Sequence, residues 1–234
     1  MTSVKRALLF LPALILLALA AAACGGKPEP QPAPAAVAPA STPEPAAVPD
    51  PRAVIVVFGD SLSAGFGADP GQSFPDFLQK ALDRLGYPYR IVNQGISGDT
   101  TSGGLSRISE ALAAKPAIVI LELGGNDGLR GVPLANIRSN LAHMIEGFQK
   151  AGVRILLAGI TLPPNYGPDY IKPFDRMYRE LAASYHVPLI PFLLRDVALK
   201  GADLMQGDGI HPTAKGNEIV AGTVLTALKP LLKK

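Results

Sequence analysis

Four short segments hold the residues able to do chemistry. They are Gly59-Asp60-Ser61-Leu62-Ser63-Ala64-Gly65, Asn93-Gln94-Gly95-Ile96-Ser97-Gly98-Asp99-Thr100, Gly124-Gly125-Asn126-Asp127-Gly128 and Asp208-Gly209-Ile210-His211-Pro212. Together they suit acyl transfer. A serine hydroxyl is a poor nucleophile until a neighbouring imidazole takes its proton. Ser61 stands in a glycine-flanked turn, His211 is the candidate base, and Asp208 lies three residues before it across a turn containing Gly209. From there a carboxylate can reach the second imidazole nitrogen, fix the tautomer and stabilise the imidazolium. A tetrahedral oxyanion also needs preorganised donors. The backbone N–H groups of Ser61 and Gly98 and the side-chain amide of Asn126 are available for that role, where losing one donor typically costs about 2.7–4 kcal/mol. Each residue has a plainer reading by itself. Ser61 suits a helix cap and Asn126 a left-handed turn, but four independent coincidences are then left unexplained. Asp60, Asp99 and Asp127 read as braces for backbone N–H groups, and His143 and His186 as structural or solvent-facing.

These segments need a scaffold that brings them to one rim. Ala53–Phe58 (AVIVVF) is a β-branched run of the kind found in strands buried on both faces. Tyr89–Val92, Ala117–Leu123, Val153–Ile160 and Val187–Ile190 read as four further strands. Between them, apolar residues at helical spacing predict helices over Ser73–Leu85, Gly104–Ala114, Pro133–Ala151 and Ile171–Tyr185, with a last one over Ala214–Leu232. Strands alternating with helices give an α/β fold: a five-stranded parallel sheet covered on both faces. In such sheets ligands bind beyond the carboxyl ends of the strands, near the point where strand order reverses. The chemistry-bearing segments follow strand ends or precede the last helix. Leu129, Leu162, Pro163, Pro164 and Tyr166 would border the same rim and offer an apolar wall to an acyl or aromatic group.

GDSLSAGFG at 59–67, ISGDT at 96–100, GGND at 124–127 and DGIHP at 208–212 resemble, in order, the four blocks of the GDSL or SGNH hydrolase family. The likeness covers 53–230 and takes in LELGGNDGLRG at 121–131, LPPNYG at 162–167 and VPLIPF at 187–192, which look like the bacterial thioesterase I, lysophospholipase and arylesterase branch. The resemblance implies a flavodoxin-like three-layer αβα sandwich. It implies Ser61 as nucleophile, His211 as base, Asp208 as its partner, Gly98 and Asn126 as oxyanion donors, and no metal or cofactor. The expected substrate is a small acyl ester or lipid. The same family also hosts deacetylases of envelope carbohydrate, and a non-catalytic binding module on this fold is a further alternative. The apolar loops argue against the first, and the intact five-residue set against the second.

Composition excludes other classes. The chain has 234 residues, 18% of them charged, with 22 Lys+Arg against 19 Asp+Glu. The net charge of +3 and the lack of a basic run give no footprint for nucleic acid. One cysteine rules out an intramolecular disulfide.

The first fifty residues have a different character. Lys5 and Arg6 precede an apolar run of fourteen residues, Ala7 to Ala20, with Pro12 inside it. It is shorter than the roughly 20 residues a membrane-spanning helix needs and reads as the core of a signal peptide, 1–23. Ala21-Ala22-Ala23 then leads into Cys24, which resembles a bacterial lipobox, with Ala21 where Leu is usual. The expectation is a diacylated Cys24 and an exported lipoprotein of the cell envelope that faces the periplasm; a soluble secreted protein is the alternative. Nine of the twenty-five residues from Lys27 to Pro51 are proline. Such a stretch favours an extended spacer, so 24–51 reads as a tether and 52–234 as the catalytic domain.

Overall fold

The structure is a computed structural model and describes residues 50–198, 200–201 and 203–234. The expected signal segment, Cys24 and most of the proline-rich stretch lie outside the described residues. The run AVIVVFG forms strand β1, Ala53–Gly59, buried along all but its first residue. It leads through a single turn of helix, α1 (Ser61–Ala64), to α2 (Phe74–Arg84). Ser73 caps α2 in a reciprocal arrangement, its hydroxyl accepting from the Asp76 N–H and the Asp76 carboxylate accepting from the Ser73 N–H. Strand β2 (Tyr89–Asn93) follows, then helices α3 (Thr101–Ser106) and α4 (Ile108–Ala113). Strand β3 (Ile118–Glu122) is buried at every position. After it come α5 (Gly125–Leu129), α6 (Leu134–Lys150), β4 (Arg154–Ala158), α7 (Pro168–Tyr185), β5 (Leu189–Ile190) and α8 (Ala214–Leu228).

The five strands are parallel, in the order β2-β1-β3-β4-β5. Helix α2 packs on α8, while α6 packs on α3, α4 and α7, and the sheet lies between these two groups. Ile55 to Phe58 and Ile118 to Leu121 are fully buried and form the centre of the core. Strand order reverses between β1 and β3, whose register sets Gly59 opposite Glu122. The polar segments after β1 and β3 therefore leave the sheet side by side at the switch point.

The structure departs from the expected elements in four places. The expected helix Gly104–Ala114 is two helices, broken at Arg107, which leaves helical geometry at φ −112° and turns its side chain inward. Helix α7 starts at Pro168, three residues earlier than expected, because a proline in the first turn gives up an N–H with no intrahelical partner. The last helix stops at Leu228 and gives way to a 3-10 turn over Lys229–Leu231, where Pro230 enters. The short helices α1 and α5 were expected as loops. Each is one turn of helix with glycine at or beside its end, too brief to show a periodic apolar pattern.

Candidate active site

Ser61 opens α1 directly after β1. Asp60 is its N-cap and accepts the Leu62 N–H at 3.1 Å. The Ser61 carbonyl accepts from the N–H groups of Gly65 and Phe66, which closes the turn under the hydroxyl. The hydroxyl meets His211 Nε2 at 2.8 Å, and the other ring nitrogen, Nδ1, lies 2.6 Å from Asp208 Oδ2. A carboxylate only accepts, so Nδ1 carries the proton and Nε2 is free to accept the serine O–H. Asp208 Oδ1 accepts two backbone N–H groups, from Ile210 at 2.9 Å and His211 at 3.0 Å. Burial acts to raise the Asp208 carboxyl, but the His211 side-chain bond and these backbone bonds outweigh it and hold the group at about 2. It is therefore an anion across the working range of an imidazole.

The loop bearing His211 is tied to the loop after Ser61. Gln206 Nε2 donates to the carbonyls of Phe66 at 2.7 Å and Pro212 at 2.9 Å. The Phe66 ring, half exposed, lies 4.6 Å from the imidazole ring centre at a tilt of 39°.

The three expected oxyanion donors come from three strand ends. Among the described residues, the Ser61 and Gly98 N–H groups donate to no protein acceptor. Asn126, in the first turn of α5, donates one Nδ2 hydrogen to Asp60 Oδ2 at 3.1 Å. Its second hydrogen is left for a ligand. The Gly98 loop is held in three ways. Ile96 N–H donates to the Gly59 carbonyl, Arg130 donates to the Gly98 carbonyl at 3.2 Å, and Gly98 itself turns at φ +81°, where a side chain is disfavoured.

The expected braces do that work. Asp127 accepts the Thr101 N–H at 2.8 Å and the Thr101 hydroxyl at 2.7 Å, joining α5 to α3. Asp99 accepts the Thr100 N–H and the Arg107 guanidinium. His143 and His186 are exposed and stand apart from the site.

Two functional residues escaped the sequence reading. Arg107 is 8% exposed, stacks on Phe58 at 4.0 Å, and donates to Asp99, Gln94 O and Gly59 O. One side chain thus joins the ends of β1 and β2 to the loop that carries Gly98. Glu122, fully buried at the end of β3, accepts the Asp60 N–H at 3.2 Å and the Ser63 hydroxyl at 2.7 Å. In the sequence it looked like one position of a core strand, AIVILEL. The only hint was a lone acid in an otherwise apolar strand.

Beside Ser61 and His211 opens a cavity of about 570 Å³ with mostly apolar walls. Leu129, Leu162, Pro163 and Pro164 line it as expected, joined by Ile160, Phe192, Leu194, Met205 and Ile210. Tyr166 is a correction. It is not among the lining residues; its hydroxyl donates to the Leu129 carbonyl at 2.7 Å, so it supports the wall from behind. Among the described residues no three His, Cys, Asp or Glu side chains are grouped as a metal site would need.

Residues 57–219 match the model of the GDSL-like lipase/acylhydrolase family. The chain is 48% identical to esterase TesA of Pseudomonas aeruginosa over 180 residues, 76% of this chain and 89% of the relative. It is 37% identical to thioesterase 1/protease 1/lysophospholipase L1 of Escherichia coli over 179 residues, 76% of this chain and 84% of that one. A crystal structure described as TesA superposes with a TM-score of 0.74 at 48% identity, covering 76% of this chain and 99% of the other.

Proposed function

The chain belongs to the GDSL-like lipase/acylhydrolase family and is a hydrolase of carboxylic ester or thioester bonds, and we propose that it works through Ser61, His211 and Asp208. The observation that carries this reading is the unbroken hydrogen-bonded run from Asp208 through His211 to Ser61, at 2.6 and 2.8 Å, beside an apolar cavity. His211 Nε2 takes the Ser61 proton as Oγ attacks the acyl carbon. The carbonyl oxygen becomes an oxyanion facing the Ser61 and Gly98 N–H groups and the free Asn126 amide hydrogen. The imidazolium, steadied by Asp208, then gives its proton to the departing alcohol or thiol. A water activated by the same imidazole releases the acid and restores Ser61. The acyl group lies in the cavity walled by Leu129, Leu162 and Leu194, where its methylenes each gain about 0.8 kcal/mol on leaving water.

Ser61→Ala tests the assignment. The variant should keep its circular dichroism spectrum and lose turnover of a short p-nitrophenyl ester by at least a thousandfold. Activity within tenfold of the parent sinks the assignment.

Signal peptide, lipidation of Cys24 and envelope anchoring are part of the same proposal. Their support is the sequence alone: a basic start, a fourteen-residue apolar run, three alanines and the single cysteine of the chain.

A further inference from the structure

We propose that Glu122 is a positioning residue for ester hydrolysis: it holds Asp60, and Asp60 holds the Asn126 amide against the reacting carbonyl oxygen. The inference rests on the reading of Asn126 as an oxyanion donor and extends it one layer inward.

The geometry is a short buried chain. Asp60 is 3% exposed and Glu122 fully buried. Asp60 spends one carboxyl oxygen on the Leu62 N–H, which fixes the turn that presents Ser61, and the other on Asn126 Nδ2. One carboxylate therefore sets both the nucleophile turn and the amide. Glu122 meets this residue from below. Its Oε2 accepts the Asp60 N–H and the Ser63 hydroxyl, so two contacts on either side of Ser61 hang on one oxygen. Nothing larger than glycine fits at position 59, where an added Cβ would run into Ser63 Oγ and Glu122 Oε2. The second Glu122 oxygen, Oε1, is buried without a hydrogen-bond partner. A buried, unpaired carboxyl oxygen is expensive to keep, and a fully apolar strand end would avoid it. A role in the site explains its presence.

The charges around the pair fit this role. From β3 itself comes Glu122; from the N-cap of α1 comes Asp60; from α7 comes the Tyr178 hydroxyl, donating to the Leu123 carbonyl; from α5 comes Asp127; from the turn between α3 and α4 comes Arg107, on the Gly59 carbonyl; and from the loop before α8 comes His211. Burial and the neighbouring Asp60 charge push Glu122 well above the usual carboxyl range, which favours its neutral form. Burial lifts Asp60 to about 6, against the pull of the Leu62 N–H, the Asn126 amide and the His211 charge.

The test compares Glu122→Leu, Glu122→Gln and Asp60→Asn on a p-nitrophenyl ester. Asp60→Asn, which turns an N–H towards Asn126, should lower kcat at least tenfold with KM changed less than threefold. Glu122→Leu removes the acceptor of the Asp60 N–H and the Ser63 hydroxyl. It should lower kcat at least fivefold with KM changed less than threefold, and Glu122→Gln, which keeps a carbonyl acceptor, should recover most of the loss. Active-site titration with a fluorophosphonate normalises each rate to folded enzyme. Should Glu122→Leu fail to fold, Glu122→Met, closer to glutamate in shape and equally without an oxygen acceptor, replaces it alone and in the double variant Glu122→Met/Asp60→Asn. A kcat equal to that of Asp60→Asn alone supports action through Asp60, and multiplied losses overturn it. The proposal also falls if Asp60→Asn keeps kcat within twofold, or if a folded Glu122→Leu keeps kcat within twofold of the parent. Failure of Ser61→Ala to stop turnover would overturn the underlying site instead.

Discussion

Asp208 and Asp60 are both aspartates next to catalytic-loop backbone, yet their surroundings drive them in opposite directions. Asp208 is partly exposed and gathers three hydrogen bonds, two of them from backbone. It stays ionised down to about pH 2, so loss of rate in weak acid does not come from it. Asp208→Asn would still accept the backbone bonds but would no longer hold His211 Nδ1–H by charge. The expected result is a kcat loss of about 10²-fold or more at pH 8 with a normal thermal midpoint, measured by ester hydrolysis and circular dichroism; a loss under fivefold would remove Asp208 from the mechanism. Asp60 is the reverse case. Its folded value of about 6 lies above the ordinary 3.8, so between those values the folded chain holds a proton that the unfolded chain has released. Stability from this group is greatest in acid and falls as pH rises from about 4 through 6, and the ionised residue costs on the order of 3 kcal/mol at neutral pH. Asp60→Asn keeps a good N-cap and sheds that cost. Its thermal midpoint should exceed the parent's at pH 8, with the gap closing towards pH 4, even as its rate falls. A midpoint lower at pH 8 than at pH 4 relative to the parent would contradict the assigned shift.

Each element that carries a site residue is short, and its position comes from neighbours rather than from its own length. α1 and α5 hold Ser61 and Asn126 on one turn each, and both are fixed by carboxylates, Asp60 and Asp127. Arg107 does the same for the ends of β1 and β2. Because Arg107 and Asp99 each leave only 9% of the side chain exposed, Arg107→Met would strand a buried carboxylate and two carbonyls. The expected loss is about 3–5 kcal/mol in urea unfolding, with the activity of the folded remainder reduced as Gly98 shifts; a loss below about 1 kcal/mol would show the pair to be dispensable. These dependencies explain what could be read from the chain beforehand. All five strands were legible because β-branched runs such as AVIVVF and AIVILEL bury both faces. Long helices were legible because Leu78, Leu82, Ile137, Leu141 and Met144 recur at helical spacing and are buried. Ser61, His211 and Asp208 were legible because glycine-marked turns follow or precede those elements. The break at Arg107 was not, since helical spacing continues through it and only a tertiary partner diverts the side chain. Nor were Phe192, Leu194 and Met205 as cavity wall. They come from chain between β5 and α8 with no regular pattern, and only the closed fold brings them to Ser61.

At the scale of the whole molecule, two parts of the chain are separable. Contacts divide it into Met1–Val48 and Pro49–Lys234, and every residue assigned to chemistry lies in the second. Residues 1–51 hold Lys5, Arg6 and Lys27 against Glu29, Glu44 and Asp50 and are neutral, so the net charge of +3 lies in residues 52–234. At the start of the second part Arg52 pairs with Asp50 and Asp83, all three substantially exposed, and such surface pairs contribute little. A chain starting at Pro49 retains these pairs and the whole core, and it should hydrolyse water-soluble esters with kcat within twofold of the full chain. The leader should matter for location instead. An acylated Cys24 would add about 0.8 kcal/mol of membrane affinity per buried methylene, and more than one chain makes anchoring firm. The proline-rich stretch that follows favours an extension of about 3.1 Å per residue, which would carry the Ser61 rim several tens of Å from the anchor. In the native host the full chain should therefore sediment with membranes, and Cys24→Ala should move it to the soluble fraction without changing kcat on a soluble ester. Mass spectrometry of the N-terminal peptide decides between the two routes of export. Acyl chains on Cys24 support the anchor, whereas a free thiol there, or cleavage beyond it, leaves a soluble secreted esterase with a proline-rich leader.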